Sequence, residues 1–374
     1  MVLTNSCFQT KETKKEDKKC VMAYYVPNKK GTSQLPLHQL THIIYSFTEV
    51  VDNRMEWVKG VDDQQLKELV EARNNHPDLK VMVACGGWGG SGGFSEMCRQ
   101  DSTRAIFVKS TIDFIDRYQL DGIDMDWEYP GLPGIGNPYD PSDKQNFTLL
   151  MKELREGMDQ LKPGLILSFA AAGWQKYFDH VELDQVMKYA TYMNIMTYDL
   201  AGANHPVTAH HTALYSLSTE QLGSAAVKAL KANEPEKEWP SVDHIVTYCL
   251  DKGVKSQQIV IGAAFYGRSW KGIEPVSNGL YQLHKGFKGY YTYKQIKELV
   301  AKDNSIARWD EVAHASYLFM ADDSVFVTYD SPRSVSLKAE YVKTHQLGGI
   351  MFWQLAQDSD DYELTQSIYD SVKQ

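Results

Sequence analysis

Short runs of β-branched and apolar residues recur along the chain, each followed by a stretch with helical spacing, and this alternation limits the possible folds most. The runs are Val21–Val26, His42–Phe47, Lys80–Ala84, Gly122–Glu128, Leu165–Ala171, Tyr192–Thr197, Gln258–Ala264 and Gly349–Trp353. Several are almost continuously apolar, as strands covered on both faces should be. Between them Phe107, Thr111, Phe114 and Tyr118 form one helical stripe, and Phe147, Leu150, Met151, Leu154, Met158 and Leu161 another. Leu364, Ile368 and Val372 form the last. Ser142 with Gln145, and Ser218 with Gln221, have capping-box spacing, the second opening a helix that runs to Asn233. Eight strands with helical returns predict an α/β fold, a (β/α)8 TIM barrel, with a large doubly wound sheet as the alternative.

One interval breaks the rhythm. About 80 residues separate the seventh and eighth runs, and they contain TYKQIKELV, ASYLFM and VFVTYD, a helix and two strands by pattern. Residues 266–334 are therefore expected to be a small α+β domain inserted between strands 7 and 8, on the rim where a barrel carries its catalytic groups. The rest of 20–374 is expected to be the barrel domain. Residues 1–19, polar and lysine-rich, are expected to be a disordered leader without a signal-peptide core.

A length of 374 residues suits one large barrel with an insertion. The net charge of −9 argues against a nucleic-acid partner or an anionic membrane surface. No apolar run reaches the roughly 20 residues of a membrane span. The five cysteines, Cys7, Cys20, Cys85, Cys98 and Cys249, show neither metal-site nor redox-dithiol spacing, and a Cys7–Cys20 bridge is left open. His205, His210 and His211 have nothing that fixes them on one face, so no metal and no other cofactor is expected.

The most informative segment is DGIDMDWEYP, Asp121–Pro130. Strand side chains alternate, so Asp124, Asp126 and Glu128 share one face and Ile123, Met125 and Trp127 the other. Carboxylates two residues apart are only about 6.6 Å apart along a strand, close enough to raise the pKa of at least one. Glu128, nearest the rim, is then placed to hold a proton near neutral pH, as a general acid must. A divalent-cation site and a solvated strand end are the blander readings.

With these residues the chain resembles glycoside hydrolase family 18, the chitinases. Asp121, Gly122, Asp124, Asp126 and Glu128 complete the family's D-G-x-D-x-D-x-E motif, and further matches follow in order. They are Tyr24–Tyr25, Phe47, CGGWGGSGGF (Cys85–Phe94), MTYD (Met196–Asp199), Tyr266-Gly-Arg268 and GGIMFW ending at Trp353, from about Val21 to Asp358. The resemblance implies retaining, substrate-assisted hydrolysis of β-1,4 bonds between N-acetylglucosamine residues in chitin and chitooligosaccharides. It implies that Glu128 protonates the glycosidic oxygen while the substrate's acetamido carbonyl attacks the anomeric carbon, giving an oxazolinium ion. Asp126 orients the acetamido group, Asp124 lies behind it, and Tyr198 donates to the carbonyl. One position departs from the family pattern. Ala84 replaces the usual strand-three serine, leaving Tyr24 as the only expected donor to Asp124.

The same resemblance gives Trp353 as the floor beneath the reactive sugar and Trp88 as a stacking residue on the leaving-group side. Asp199, Met196, Tyr24, Phe47, Tyr266, Arg268 and Trp174 complete the expected substrate-binding set, and Trp57 is a further rim candidate. The loop Gly131–Asp143 borders the acid with or without touching substrate. The expected partner is chitin or its oligomers, bound by a secreted, monomeric enzyme. The alternatives are an endo-β-N-acetylglucosaminidase acting on N-glycans and a non-catalytic chitin-binding lectin.

Overall fold

The computed structural model describes residues 18–29, 31–61, 63–217, 228 and 240–373. Cys7 and the helix expected after Ser218 lie outside the described residues, apart from Lys228 within that helix. The chain opens with β1 (Cys20–Tyr25), β2 (His42–Val51), its short hairpin partner β3 (Arg54–Trp57), β4 (Lys80–Gly86) and β5 (Gly122–Asp126). It continues through β6 (Ile166–Ala172), β7 (Tyr192–Met196) and β8 (Ile259–Ala264). The next strands are β9 (Tyr266–Lys271), β10 (Gly286–Thr292), β11 (Ala307–Asp310), β12 (Ala315–Met320) and β13 (Val325–Tyr329), before β14 (Gly349–Trp353).

Strands β1, β2, β4, β5, β6, β7, β8 and β14 pair in parallel in chain order, and β1 pairs with both β2 and β14. That double pairing closes the sheet, so the fold is a (β/α)8 barrel rather than an open doubly wound sheet. Alternation then sorts the side chains. Val21, Ala23 and Tyr25 face the outer helices, while Met22 and Tyr24 face the lumen with Ile44, Met82, Val260 and Met351. The acidic strand behaves likewise, with Ile123, Met125 and Trp127 packed in the outer core. Strand β5 ends at Asp126, so Glu128 stands just beyond it, on the rim.

The outer stripes become the helices Asp101–Tyr118, Asp143–Leu161 and Glu363–Lys373. The capping box expected at Ser142 does not form. Ser142 is already helical, and its hydroxyl donates to Asp140 Oδ1 at 2.6 Å, in a turn that Asp140 also closes on the Ser142 amide. The rim position suggested for Trp57 is also corrected. Its ring packs on Phe114 and Tyr118 of the outer helix, at centroid distances of 5.0 and 5.8 Å. The four described cysteines, Cys20, Cys85, Cys98 and Cys249, are buried unbridged thiols.

Between β8 and β14 the chain forms a five-stranded antiparallel sheet in the order β10-β9-β13-β12-β11, with the helix Tyr293–Lys302 beside it. A buried ion pair fastens this sheet to the barrel. Asp330, just after β13, accepts from Lys338 Nζ at 2.6 Å, from the Ala264 amide at 2.9 Å and from Thr212 Oγ1 at 3.1 Å. Burial lowers the Lys338 pKa, and Asp330 opposes that shift. Removing one partner of such a pair strands the other charge in a dry site, which costs about 3–5 kcal/mol. Lys338→Met is therefore expected to lose about that much stability by urea unfolding, while Asp330→Asn/Lys338→Met, which leaves no orphaned charge, is expected to recover part of it.

Candidate active site

The site is the lumen at the C-terminal end of the barrel, and its axis is the column Asp124, Asp126 and Glu128. Asp124 is fully buried. Its Oδ2 accepts from Tyr24 Oη on β1 at 2.8 Å, and its Oδ1 from Ser168 Oγ on β6 at 2.6 Å and Asn194 Nδ2 on β7 at 3.0 Å. The expectation that only Tyr24 would reach Asp124 is thus corrected. Burial pushes the Asp124 carboxyl up to about 6, against the downward pull of these donors.

Asp126 sits one layer above with a buried Oδ1 that has no hydrogen-bond partner. Burial first, then the Glu128 and Asp124 charges, push it well above the ordinary range. Glu128 is 8% exposed, and burial raises it to about 7; Tyr129 opposes that shift by hydrogen bonding, and Asp199 reinforces it by its charge. Two groups therefore carry protons near neutral pH in a water-poor lumen, the electrostatics a general acid requires.

The loops hold this column by its backbone. Gly86, at φ 113°, brings the chain so close to β5 that an added Cβ would stand 2.1 Å from the Asp126 carbonyl oxygen. That approach lets the Gly87 amide donate to the same oxygen at 2.8 Å. Ser91, fully buried, donates to the Gly87 and Asp126 carbonyls at 2.8 and 3.1 Å and accepts from the Glu128 amide at 2.9 Å. The glycine-rich run is thus a tied bracket rather than the freely moving loop that its composition suggests. From the other side Asn137 Nδ2 donates to the Glu128 carbonyl at 3.2 Å, and buried Asp143 gathers the amides of Gly131 and Asp140 at 3.2 and 2.8 Å.

Around the column the remaining expected residues fall into three groups. Trp353 lies 5.5 Å from Phe47 in a stacked pair and 5.9 Å from Tyr24, with Met196 and Tyr198 in the same lumen cluster. Tyr198, buried beside the acids, has its hydroxyl 3.9 Å from Met351 Sδ, and burial raises its pKa well above the ordinary value. The second group surrounds Asp199, which sits in the left-handed region at φ 58°. Tyr266 Oη donates to its Oδ1 at 2.5 Å, Arg268 Nε lies 2.6 Å away, and His211 Nδ1 is 3.5 Å away. Burial alone would push Asp199 up, but His211, Arg268 and Tyr266 together hold it below the ordinary value. The third group is an aromatic run along the rim. Trp88, 48% exposed, lies 6.3 Å from Tyr129, which lies 5.1 Å from Trp174.

Ser168, Asn194, Ser91, Tyr129 and Asn137 are the residues that the sequence alone did not single out. A lone serine inside an apolar strand, and another inside a run of glycines, were the available signals for Ser168 and Ser91. His210 pairs with Asp310 at 3.1 Å, away from the column. Among the described residues, no group of three or more His, Cys, Asp or Glu is arranged to hold a metal ion, and no helix is long and apolar enough to cross a membrane.

Comparisons with known proteins point to one family. Chitinase A1 of Niallia circulans is 33% identical over 306 residues, which is 78% of this chain and 42% of that protein. The chain spans between 42% and 66% of the length of three such curated relatives. A solved structure of a glycoside hydrolase family 18 N-acetylglucosaminidase from Paenibacillus barengoltzii aligns over 94% of this chain and 99% of that one, with a TM-score of 0.82 and 34% identity. A group IV chitinase from Ostrinia furnacalis, solved in complex with allosamidin, aligns over 95% and 98% with a TM-score of 0.83 and 26% identity. The family "Glycosyl hydrolases family 18" matches residues 20–358, and with the acidic column of β5 seated in its barrel the chain belongs to that family.

Proposed function

We propose that the protein is a chitinase, cutting β-1,4 bonds between N-acetylglucosamine residues with retention of configuration. The observation that carries the reading is the contrast within the column. Glu128 keeps a proton up to about pH 7, while Asp126 beneath it has a buried, unpartnered oxygen. Glu128 protonates the glycosidic oxygen. Asp126 takes the N–H of the substrate's acetamido group on its vacant oxygen, turning the acetamido carbonyl toward the anomeric carbon. Tyr198 steadies that carbonyl. The nucleophile travels with the substrate, so the protein supplies orientation and charge stabilisation instead of a second attacking carboxylate. Glu128, then ionised, activates the water that opens the oxazolinium ion. Trp353 with Phe47 forms the apolar floor for the reactive ring, and Trp88 stacks on the leaving-group side. Asp199, Arg268, Tyr266, Met196, Tyr24 and Trp174 line the remaining pocket.

Residues 266–334 act in this reading as an inserted lobe that walls the groove, and the protein works as a secreted monomer on chitin or its oligomers. The likeness to an N-acetylglucosaminidase over nearly all of that enzyme supports a second mode, release of single N-acetylglucosamine units from chain ends.

Wild type and Glu128→Gln are to be compared on chitin oligomers and on an N-glycan, with anomers resolved. Wild type is expected to give β-anomeric products from the oligomers, and the variant to lose at least about 100-fold in kcat. Disaccharide products place the enzyme among the chitinases proper, and monomers alone select the second mode. N-glycan release without chitin cleavage, or binding without turnover, overturns the proposal. A second prediction concerns pH. Glu128 must be protonated and Asp124 ionised, so kcat/KM is expected to peak between about 6 and about 7. It falls above that window as Glu128 loses its proton and below it as Asp124 gains one; a flat profile from pH 5 to 9 is the contrary result.

A further inference from the structure

Three large aromatic side chains are exposed among the described residues, Trp88, Tyr139 and Tyr290. Trp88 already has a place on the leaving-group side, but Tyr290, at 59% the most exposed of the three, has none. It lies on β10, an edge strand of the inserted sheet, directly opposite Arg268 of β9. Alternation puts Tyr266, two residues before Arg268, on the same face, so the three side chains stand together. We infer that Tyr290 is a specificity-determining residue, a stacking platform for the sugar that precedes the reactive ring on its non-reducing side. The inference rests on the hydrolase reading above and adds a second binding arm to it.

Continuity with the lumen is the first support. The Tyr198 ring lies 6.1 Å from that of Tyr266, and the Tyr266 ring 6.1 Å from that of Tyr290. The three rings run outward as a staircase, from buried Tyr198 and Tyr266 to exposed Tyr290. The second support is the way the exposed ring is held. Arg268, itself only 8% exposed and 2.6 Å from Asp199 through Nε, donates from Nη2 to the Tyr290 hydroxyl at 3.2 Å. Its guanidinium carbon lies 5.3 Å from the centre of the Tyr290 ring, and the Phe287 ring lies 5.2 Å from that ring. A side chain already tied to a buried cation has little rotamer freedom left to lose when a ligand arrives. Barrel order then sets the direction. In the closed ring β4 and β8 are four strands apart out of eight, so the loops that follow them face each other across the lumen. Trp88 follows β4, and the inserted sheet follows β8. A sugar chain that passes from Trp88 over Glu128 and continues across the lumen meets the wall that carries Tyr290. With Trp88 on the leaving-group side, that wall receives the sugars that stay behind after the cut.

The test uses nitrophenyl glycosides of one, two and three N-acetylglucosamine units, read as nitrophenol released. The aryl group fills the leaving-group side, so each added sugar extends only along the opposite arm. In wild type, kcat/KM is expected to rise from the one-sugar to the two-sugar glycoside. Tyr290→Ala is expected to cut that rise by roughly 5- to 30-fold, through KM rather than kcat. Tyr290→Phe, which keeps the ring and loses only the hydroxyl, is expected to retain most of it. The ratio is taken within one preparation, so a partly folded variant scales both rates alike. A wild type in which the second sugar adds nothing, or a ratio that Tyr290→Ala leaves unmoved, overturns the inference while the hydrolase reading stands. Where no glycoside is cleaved, the hydrolase reading falls and calorimetric binding of the di-, tri- and tetrasaccharides of N-acetylglucosamine decides the inference. Weaker binding of the longer chains by Tyr290→Ala than by wild type supports it, and equal binding or none overturns it.

Discussion

Closure of the parallel sheet through the two pairings of β1 is the constraint on which the rest of the molecule depends. Once β1 bonds to both β2 and β14, every second residue of eight strands is committed to a lumen that water enters only from the rim. Most of those positions are apolar, and the few polar ones must find one another. Tyr24, Asp124, Ser168 and Asn194 come from four strands and meet as one network because the barrel brings those strands round. The same closure raises Asp126 and Glu128, since a carboxyl loses its water before it gains any neighbour. Proton-holding acids here follow from topology as much as from side-chain identity.

The eight barrel strands were legible from their apolar runs, and the inward face of β5 from alternation alone, because both signals are local. The resemblance added the lumen aromatics Trp353 and Phe47, which the structure brings together as a stacked pair. The residues that escaped act across strands. Ser168 sits 44 positions from Asp124 in sequence, and nothing near it announces that the two are lateral neighbours. Ser91 was hidden by its setting, since a serine among glycines suggests mobility until its hydroxyl is seen binding three backbone groups. Ser142 failed in the opposite way. Its spacing satisfied a rule, but Asp140, two residues upstream, claimed the hydroxyl first. Trp57 lay after a strand, as a rim residue would, yet the β2–β3 hairpin carries it outward onto Phe114 and Tyr118.

The site also shows a division of labour between backbone and side chain. Glu128 is held at its amide by Ser91 and at its carbonyl by Asn137, so its main chain is fixed while its carboxyl is left for the proposed chemistry. Asp199 is treated in reverse. Its carboxyl is gripped by Tyr266 and Arg268, which fixes a negative charge near the acid without making it available as a base. Such pairs of carboxylates, one free to titrate and one held ionised, are how a single pocket keeps acid and anion apart at one pH.

The buried Asp330–Lys338 pair also limits how the five-stranded sheet can move against the barrel. Only Phe265 separates β8 from β9, and Asp330 bonds the Ala264 amide at that junction. A sheet stapled at the very residue where it leaves the barrel has no hinge there to swing on. Its attachment to the barrel is therefore settled when the chain folds. Where that sheet walls a groove, as proposed above, little of it is left to order when a ligand arrives.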